Sequence, residues 1–213
     1  MLSVELWHNE TIAARAVASL KKNGFTAEYC ADAAAAAEEV LKYIKKGMTV
    51  GFGGSMTIKD LGIAQKAEEI GAEILDHTNS SLSQDEKLTV MRRQLTSDLF
   101  LCSTNALTLD GELVNIDGVG NRVAAMTFGP KKNIVVAGIN KVVINLDAAF
   151  DRIENVAAPM NSRRLERPNP CAKTGSCEDC QGQSRICRSY SVIKKSPSRS
   201  DFHVIIVGEK LGY

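Results

Sequence analysis

Short apolar runs alternating with helical segments constrain this chain more than any other property of its sequence. Met48 to Phe52, Leu99 to Ser103, Asn133 to Ala137 and His203 to Val207 each read as a buried strand, and Phe25–Cys30 and Glu73–Asp76 as further extended runs. Between them lie segments of helical period, so strand, turn and helix repeat in the order that builds a parallel sheet covered on its faces. Asn9 is expected to cap a first helix to about Lys22, and Asp32 a second ending near Lys45-Lys46-Gly47. A helix is expected over 56–70, a capping box Ser83-Gln84-Asp85-Glu86 opens one toward Leu95, 120–128 reads as helical, and Asp147 caps another to about Val156. With 213 residues and 44% hydrophobic content, the chain is long enough for one α/β domain and too apolar to be disordered.

Between strand and helix, Val50-Gly51-Phe52-Gly53-Gly54-Ser55-Met56-Thr57 sets glycines and hydroxyls where free N–H groups and a helix dipole favour an anion. It is neither a Walker loop nor a dinucleotide loop. A tight turn capped by Ser55 is the plainer alternative. The stretch resembles the phosphate loop of the sugar-phosphate isomerases and CoA transferases. That likeness implies a Rossmann-like sheet of the NagB/RpiA/CoA transferase-like type.

Farther along, Asp110-Gly111 between Leu107–Leu109 and Glu112–Asn115 predicts a tight hairpin. Then Asp117-Gly118-Val119-Gly120-Asn121-Arg122 gathers a carboxylate, an amide and a guanidinium at the start of a helix. Arg122 suits a substrate carboxylate or phosphate, although a turn in which Asp117 caps the helix and pairs with Arg122 explains the same residues. The stretch from Ser103 to Met126, with Phe128-Gly129-Pro130-Lys131, Val136 to Lys141, Ala157 to Asn161 and Val207 to Gly212, closely resembles the lactate-utilisation (LUD) domain family. The resemblance is to a LutC/YkgG-like form carrying a C-terminal four-cysteine motif. It implies a role in lactate or related hydroxy-acid utilisation. The expected cleft for a small anionic or phosphate-bearing ligand or cofactor comprises Gly53, Gly54, Ser55, Thr57, Asn105, Asp117, Gly118, Gly120, Asn121, Arg122 and Lys131. Asp117 and Glu112 are the carboxylates considered for catalysis; Lys131 and Lys141 are both candidates for the same cleft, with a surface position the default reading of each.

Six cysteines exceed what such a core needs, and four of them, Cys171, Cys177, Cys180 and Cys187, have the spacing C-x5-C-x2-C-x6-C. Small residues between them would let four thiolates converge on one metal centre. A single C-x2-C knuckle favours an iron–sulfur (4Fe-4S) cluster over zinc, the alternative. Cys30 and Cys102 lie in strands and read as buried small hydrophobes. Residues 160–200 carry nine Lys/Arg against three acids, +6 in a chain of net +1, which leaves −5 elsewhere. The basic stretch reads as compensation for the thiolates. Residues 158–200 are expected to be an irregular, metal-ordered insertion before the last strand of a single domain covering 1–213. His8, His77 and His203 share no ligand spacing and read as structural or exposed.

The near-zero net charge argues against nucleic acid, and the absence of an 18-residue apolar run against a membrane span. Without a basic leader before an apolar stretch, a cytoplasmic location is expected. The function expected first is an anion-binding LUD protein whose metal centre relays electrons, with redox partner subunits and a homo-oligomer both compatible. A sugar-phosphate isomerase or CoA-transfer enzyme with a structural zinc, and a non-catalytic accessory subunit, are the competing readings.

Overall fold

The computed structural model describes residues 3–213. Six parallel strands form its centre: β1 (Thr26–Cys30), β2 (Thr49–Phe52), β3 (Glu73–Asp76), β4 (Leu99–Cys102), β7 (Lys132–Gly138) and β10 (Asp201–Val207), in the order β1-β10-β7-β4-β2-β3. The sheet is Rossmann-like. Successive side chains point to opposite faces, so Leu99 and Leu101, Ile134 and Val136, and Ile205 and Val207 enter one core while Phe100, Cys102, Val135, Val204 and Ile206 enter the other.

The first core is closed by α2 (Ala33–Leu41), α3 (Met56–Asp60) and α4 (Ile63–Ile70), through Ala36, Val40, Ile58, Ile63 and Ala67. The second is closed by α1 (Val4–Lys22), through Ala13, Ala16 and Leu20, and by a smaller sheet. That sheet runs β8 (Val142–Val143), β5 (Ala106–Thr108), β6 (Leu113–Asp117), β9 (Ser189–Ile193). The hairpin at Asp110-Gly111 joins β5 to β6 in antiparallel register, Leu107 opposite Leu113. Residues 109–112 connect the two strands: Gly111 N–H donates to Thr108 O (2.9 Å) and Thr108 N–H to Glu112 O (3.0 Å). Gly111 takes φ +79°, and a Cβ there would lie 2.7 Å from the α1 backbone at Ser19 and Leu20. Positive φ and close approach together demand glycine.

Helices α5 (Gln84–Gln94), α6 (Asn121–Thr127), α7 (Leu146–Arg152), α8 (Ala158–Arg164) and α9 (Cys171–Thr174) complete the chain. The Ser83/Glu86 capping box is present at α5, and Asp32 caps α2. Several boundaries differ from the sequence reading. Helix α1 starts nearly two turns earlier, its cap being Ser3, whose side chain accepts from Leu6 N–H, so Asn9 lies within it. The helix expected over 56–70 is two, broken at Gly62 (φ +63°). Asn145 rather than Asp147 caps α7, accepting from Ala148 N–H.

The irregular segment expected over 158–200 is only partly so. A π-helical turn, Ile153–Ala157, carries α7 directly into α8. Pro159, which has no N–H to donate, lies inside this continuous helical run directly after the π turn, the kind of local adjustment at which a helix accommodates a lost bond. Strand β9 runs antiparallel to β6 from Leu113↔Ile193 to Asp117↔Ser189. Its Ser-Tyr-Ser-Val-Ile sequence carries weak alternation, and its order derives from β6, over 70 residues away in the chain. Among the described residues no helix is long and apolar enough to cross a membrane.

Candidate functional site

From β2 the chain moves outward to β3, then returns across β2 to β4 and onward to β7 and β10. The order therefore reverses between β2 and β4. In an open parallel sheet the loops at the carboxyl ends of strands diverge at such a point and leave a crevice. The loops after β2, β3, β4 and β7 border a cleft of about 690 Å³ here, closed on other sides by the β6–α6 turn, α8 and residues 183–188.

Of the residues expected to form the site, Gly53, Gly54, Ser55, Asn105, Asp117, Gly118, Asn121 and Arg122 line this cleft. Thr57 lies just behind it, fully buried, donating to Leu211 O (3.2 Å). Gly120 sits at the amino end of α6, off the wall. Lys131 is outside: it is 78% exposed and ion-paired with Asp98 (2.6 Å). Glu112 is also away from the cleft, on the hairpin, where it accepts from Thr108 Oγ1 (3.1 Å) and pairs with Lys194 (3.4 Å). Helix α3 has only five residues, with Ser55 accepting from Ile58 N–H (3.4 Å), so the long helix dipole expected behind the glycine loop is absent.

Asp117 and Arg122 form a buried pair. Asp117 Oδ1 accepts from Arg122 Nη2 (2.6 Å) and Nε (3.0 Å), and Oδ2 accepts from Val123 N–H (3.0 Å) in the first turn of α6. Arg122 also donates to Ser103 O (3.1 Å), Asn105 Oδ1 (2.7 Å) and Ile116 O (3.2 Å). The guanidinium thus ties the loop after β4 to the end of β6, and one Nη1 hydrogen is left for anything in the cleft. Gly118 lies where the cysteine segment crosses this turn: a Cβ there would be 3.2 Å from Ile186 O.

Lys141, a cleft candidate whose default reading in the sequence is the surface, lies in the cleft wall. It follows β7 through a 3-10 turn, Ile139–Lys141, borders the cleft, and is only 3% exposed. Its Nζ donates to Thr57 Oγ1 (2.9 Å) and Ser103 Oγ (3.0 Å). Burial, with Arg152 and then Arg122 nearby, lowers its pKa to about 7. Arg152 is itself buried, donating to Asn140 O (2.9 Å) and Asn105 O (2.6 Å). His77, read as structural or exposed, is on the cleft wall hydrogen-bonded to Gln94 (3.1 Å), and burial lowers its pKa. His8 is exposed, and His203 is buried beside Glu28 (2.7 Å). The signal for Lys141 was its place just after an apolar strand, at the end where α/β sheets bind ligands.

The cleft is strongly cationic. Lys87, Arg122, Lys141, Arg164, Arg167, Arg185 and Arg188 line it, against Asp117 as the one carboxylate side chain among the described residues. Much of the basic charge of residues 160–200 therefore faces this opening. Asn121 Nδ2 is buried there without a hydrogen-bond partner.

The four clustered cysteines border a second, smaller cavity of about 20 Å³, which shares Ala158, Arg185, Ile186 and Cys187 with the cleft. Burial pushes the Cys187 thiol up to about 11, and Cys177 adds to the effect. Cys177 Sγ accepts from Asp179 N–H (3.4 Å), and Arg185 fixes the segment through Cys180 O, Cys187 O and Asp179. Four thiols around one cavity are a suitable donor set for a metal centre. They have not closed on a common point: among the described residues no three His, Cys, Asp or Glu side chains are grouped as metal ligands. Cys30 and Cys102 are buried in strands, their thiols pushed up to about 11 and about 12 by burial.

The family model of the LUD domain matches residues 13–207. Among solved structures, the chain is similar to a DUF162 family protein from Deinococcus radiodurans, with a TM-score of 0.55 and 14% identity, over 94% of this chain and 98% of that one. At that identity the likeness concerns the fold alone. No curated protein matches the sequence.

Proposed function

The chain belongs to the LUD-domain family, and from that premise we propose that it acts in the utilisation of lactate or a related hydroxy acid, binding a small carboxylate or phosphate in the cleft at the β2/β4 switch point. The observation that carries this reading is the lining of seven Lys/Arg against, among the described residues, one already paired carboxylate side chain. An anion in such a cleft meets charge-assisted donors and no competing free carboxylate. Differential scanning fluorimetry with lactate, pyruvate and phosphate tests it, with lactamide and matched NaCl as controls. A ligand at 100 times its Kd should add about 2.7 kcal/mol of stability. If no anion stabilises beyond matched NaCl, the reading fails.

The proposal extends to the cysteines. Cys171, Cys177, Cys180 and Cys187 would hold the metal centre, a 4Fe-4S cluster in the first instance and zinc in the second; the cluster would supply one-electron chemistry beside the ligand. The shared wall at Cys187 and Arg185 supports a connection between centre and cleft. Iron, sulfide and zinc analysis after anaerobic purification decides the metal, and stoichiometric zinc without visible absorbance removes the electron-relay version. The LutC/YkgG-like subtype and the NagB/RpiA/CoA-transferase-like form of the sheet are part of the same reading, supported by the glycine loop at the switch point. An isomerase or CoA-transfer reaction is less well supported, since Asp117 has both oxygens engaged and Glu112 is remote from the cleft. A purely accessory subunit would give no ligand stabilisation in the same assay.

A further inference from the structure

The cleft holds an amine whose surroundings suit a nucleophile better than a structural cation. Lys141 is 3% exposed and, among the described residues, forms no ion pair within 4.0 Å with a carboxylate. Its two hydrogen-bond partners are hydroxyls, Thr57 Oγ1 and Ser103 Oγ, each of which passes a hydrogen on to a carbonyl, Leu211 O and Thr104 O. The charged groups acting on it are the guanidiniums of Arg152 and Arg122 on one side of the balance and Asp60 on the other. A structural lysine in a buried place normally has a carboxylate. This one has two guanidiniums and an open cleft.

We propose that Lys141 Nζ is a nucleophile that condenses with the carbonyl of a small 2-oxo carboxylate bound in the cleft; this deepens the anion-binding reading above and rests on it. As a neutral amine, Lys141 donates its two hydrogens to Thr57 and Ser103 and has its lone pair left for a ligand. The lone pair adds to the carbonyl carbon, giving a carbinolamine. Both amine hydrogens then leave with the carbonyl oxygen as water, and an imine joins Nζ to the former carbonyl carbon. Nothing is oxidised or reduced. The Ser103 and Thr57 hydroxyls stand where protons must move from nitrogen toward the departing oxygen. The ligand's carboxylate is met by the remaining Arg122 Nη1 hydrogen and by Asn121 Nδ2, the orphaned donor on the same wall. Desolvation beside other cations is a recognised way to activate a lysine amine, and the lowered pKa of Lys141 agrees with it.

The test is reductive trapping on the full chain: pyruvate with sodium cyanoborohydride at pH 7.5, followed by peptide mass mapping, with Lys141→Met and Lys131→Ala as companions. A surface lysine is almost wholly protonated at that pH, so Lys141 should be labelled on the order of a hundredfold faster than any other lysine. Lys131→Ala should label like the parent, and Lys141→Met should lose the specific adduct. Adducts spread over exposed lysines with Lys141 unmodified overturn the proposal, and this reading of the parent protein does not depend on how the variants fold. Equal labelling by acetone overturns the carboxylate requirement. Stabilisation by pyruvate without an adduct removes the nucleophile and leaves the cleft, whereas neither stabilisation nor adduct removes both.

Discussion

Replacing Asp117 by Ala should destabilise the fold far more than removing an ordinary surface charge. The Asp117 and Arg122 side chains are 7% and 13% exposed and share two hydrogen bonds, while the second carboxylate oxygen holds Val123 N–H. With Asp117 gone, the guanidinium stays buried among Ser103 O, Asn105 Oδ1 and Ile116 O, which accept hydrogens and do not neutralise it. Breaking a buried pair by removing one partner costs about 3–5 kcal/mol. For a chain of this length that corresponds to a fall in Tm of about 7–11 °C, from the entropy of unfolding per residue. Urea denaturation followed by circular dichroism measures the loss directly, and the double variant Asp117→Leu/Arg122→Met should recover part of it. A loss below about 1 kcal/mol, the range of exposed pairs, would refute a desolvated pair at the cleft wall. A double variant no more stable than Asp117→Ala would refute the buried-charge explanation.

Other consequences are independent. Lys141 has a folded-state pKa of about 7 against 10.5 unfolded, so its burial cost is full below pH 7 and fades as pH rises toward 10.5. The stability of the parent relative to Lys141→Met, from urea curves at several pH values, should therefore rise above pH 7 by up to about 1.4 kcal/mol per unit. A flat difference would refute the shift. Lys131→Ala removes an exposed contact to Asp98, should cost no more than about 1 kcal/mol, and should leave anion-induced stabilisation unchanged in fluorimetry. Gly111→Ala forces a positive-φ alanine against the α1 backbone 2.7 Å away, and thermal unfolding should show a loss of at least about 1 kcal/mol.

The sequence by itself determined the local structure wherever the cause is local. The apolar runs became the sheet, Asp110-Gly111 made its hairpin, and Ser83/Glu86 closed its box, because each depends on side chains within a few residues of one another. It also placed four thiols within 17 residues, and they border one cavity. Strand β9 and the helical run through Pro159 were illegible, since the first is ordered by β6 and the second by a π turn that no residue pattern announces. The two lysines flanking β7 mark the division most clearly. Lys131 precedes that strand and Lys141 follows it, and the sequence offers both as cleft candidates without separating them from surface lysines. In a parallel sheet all carboxyl ends lie on one side, and the strand order decides where their loops part. That order, set by pairings between distant segments, put Lys141 in the cleft wall with Arg122 and Arg152 and left Lys131 in solvent with Asp98.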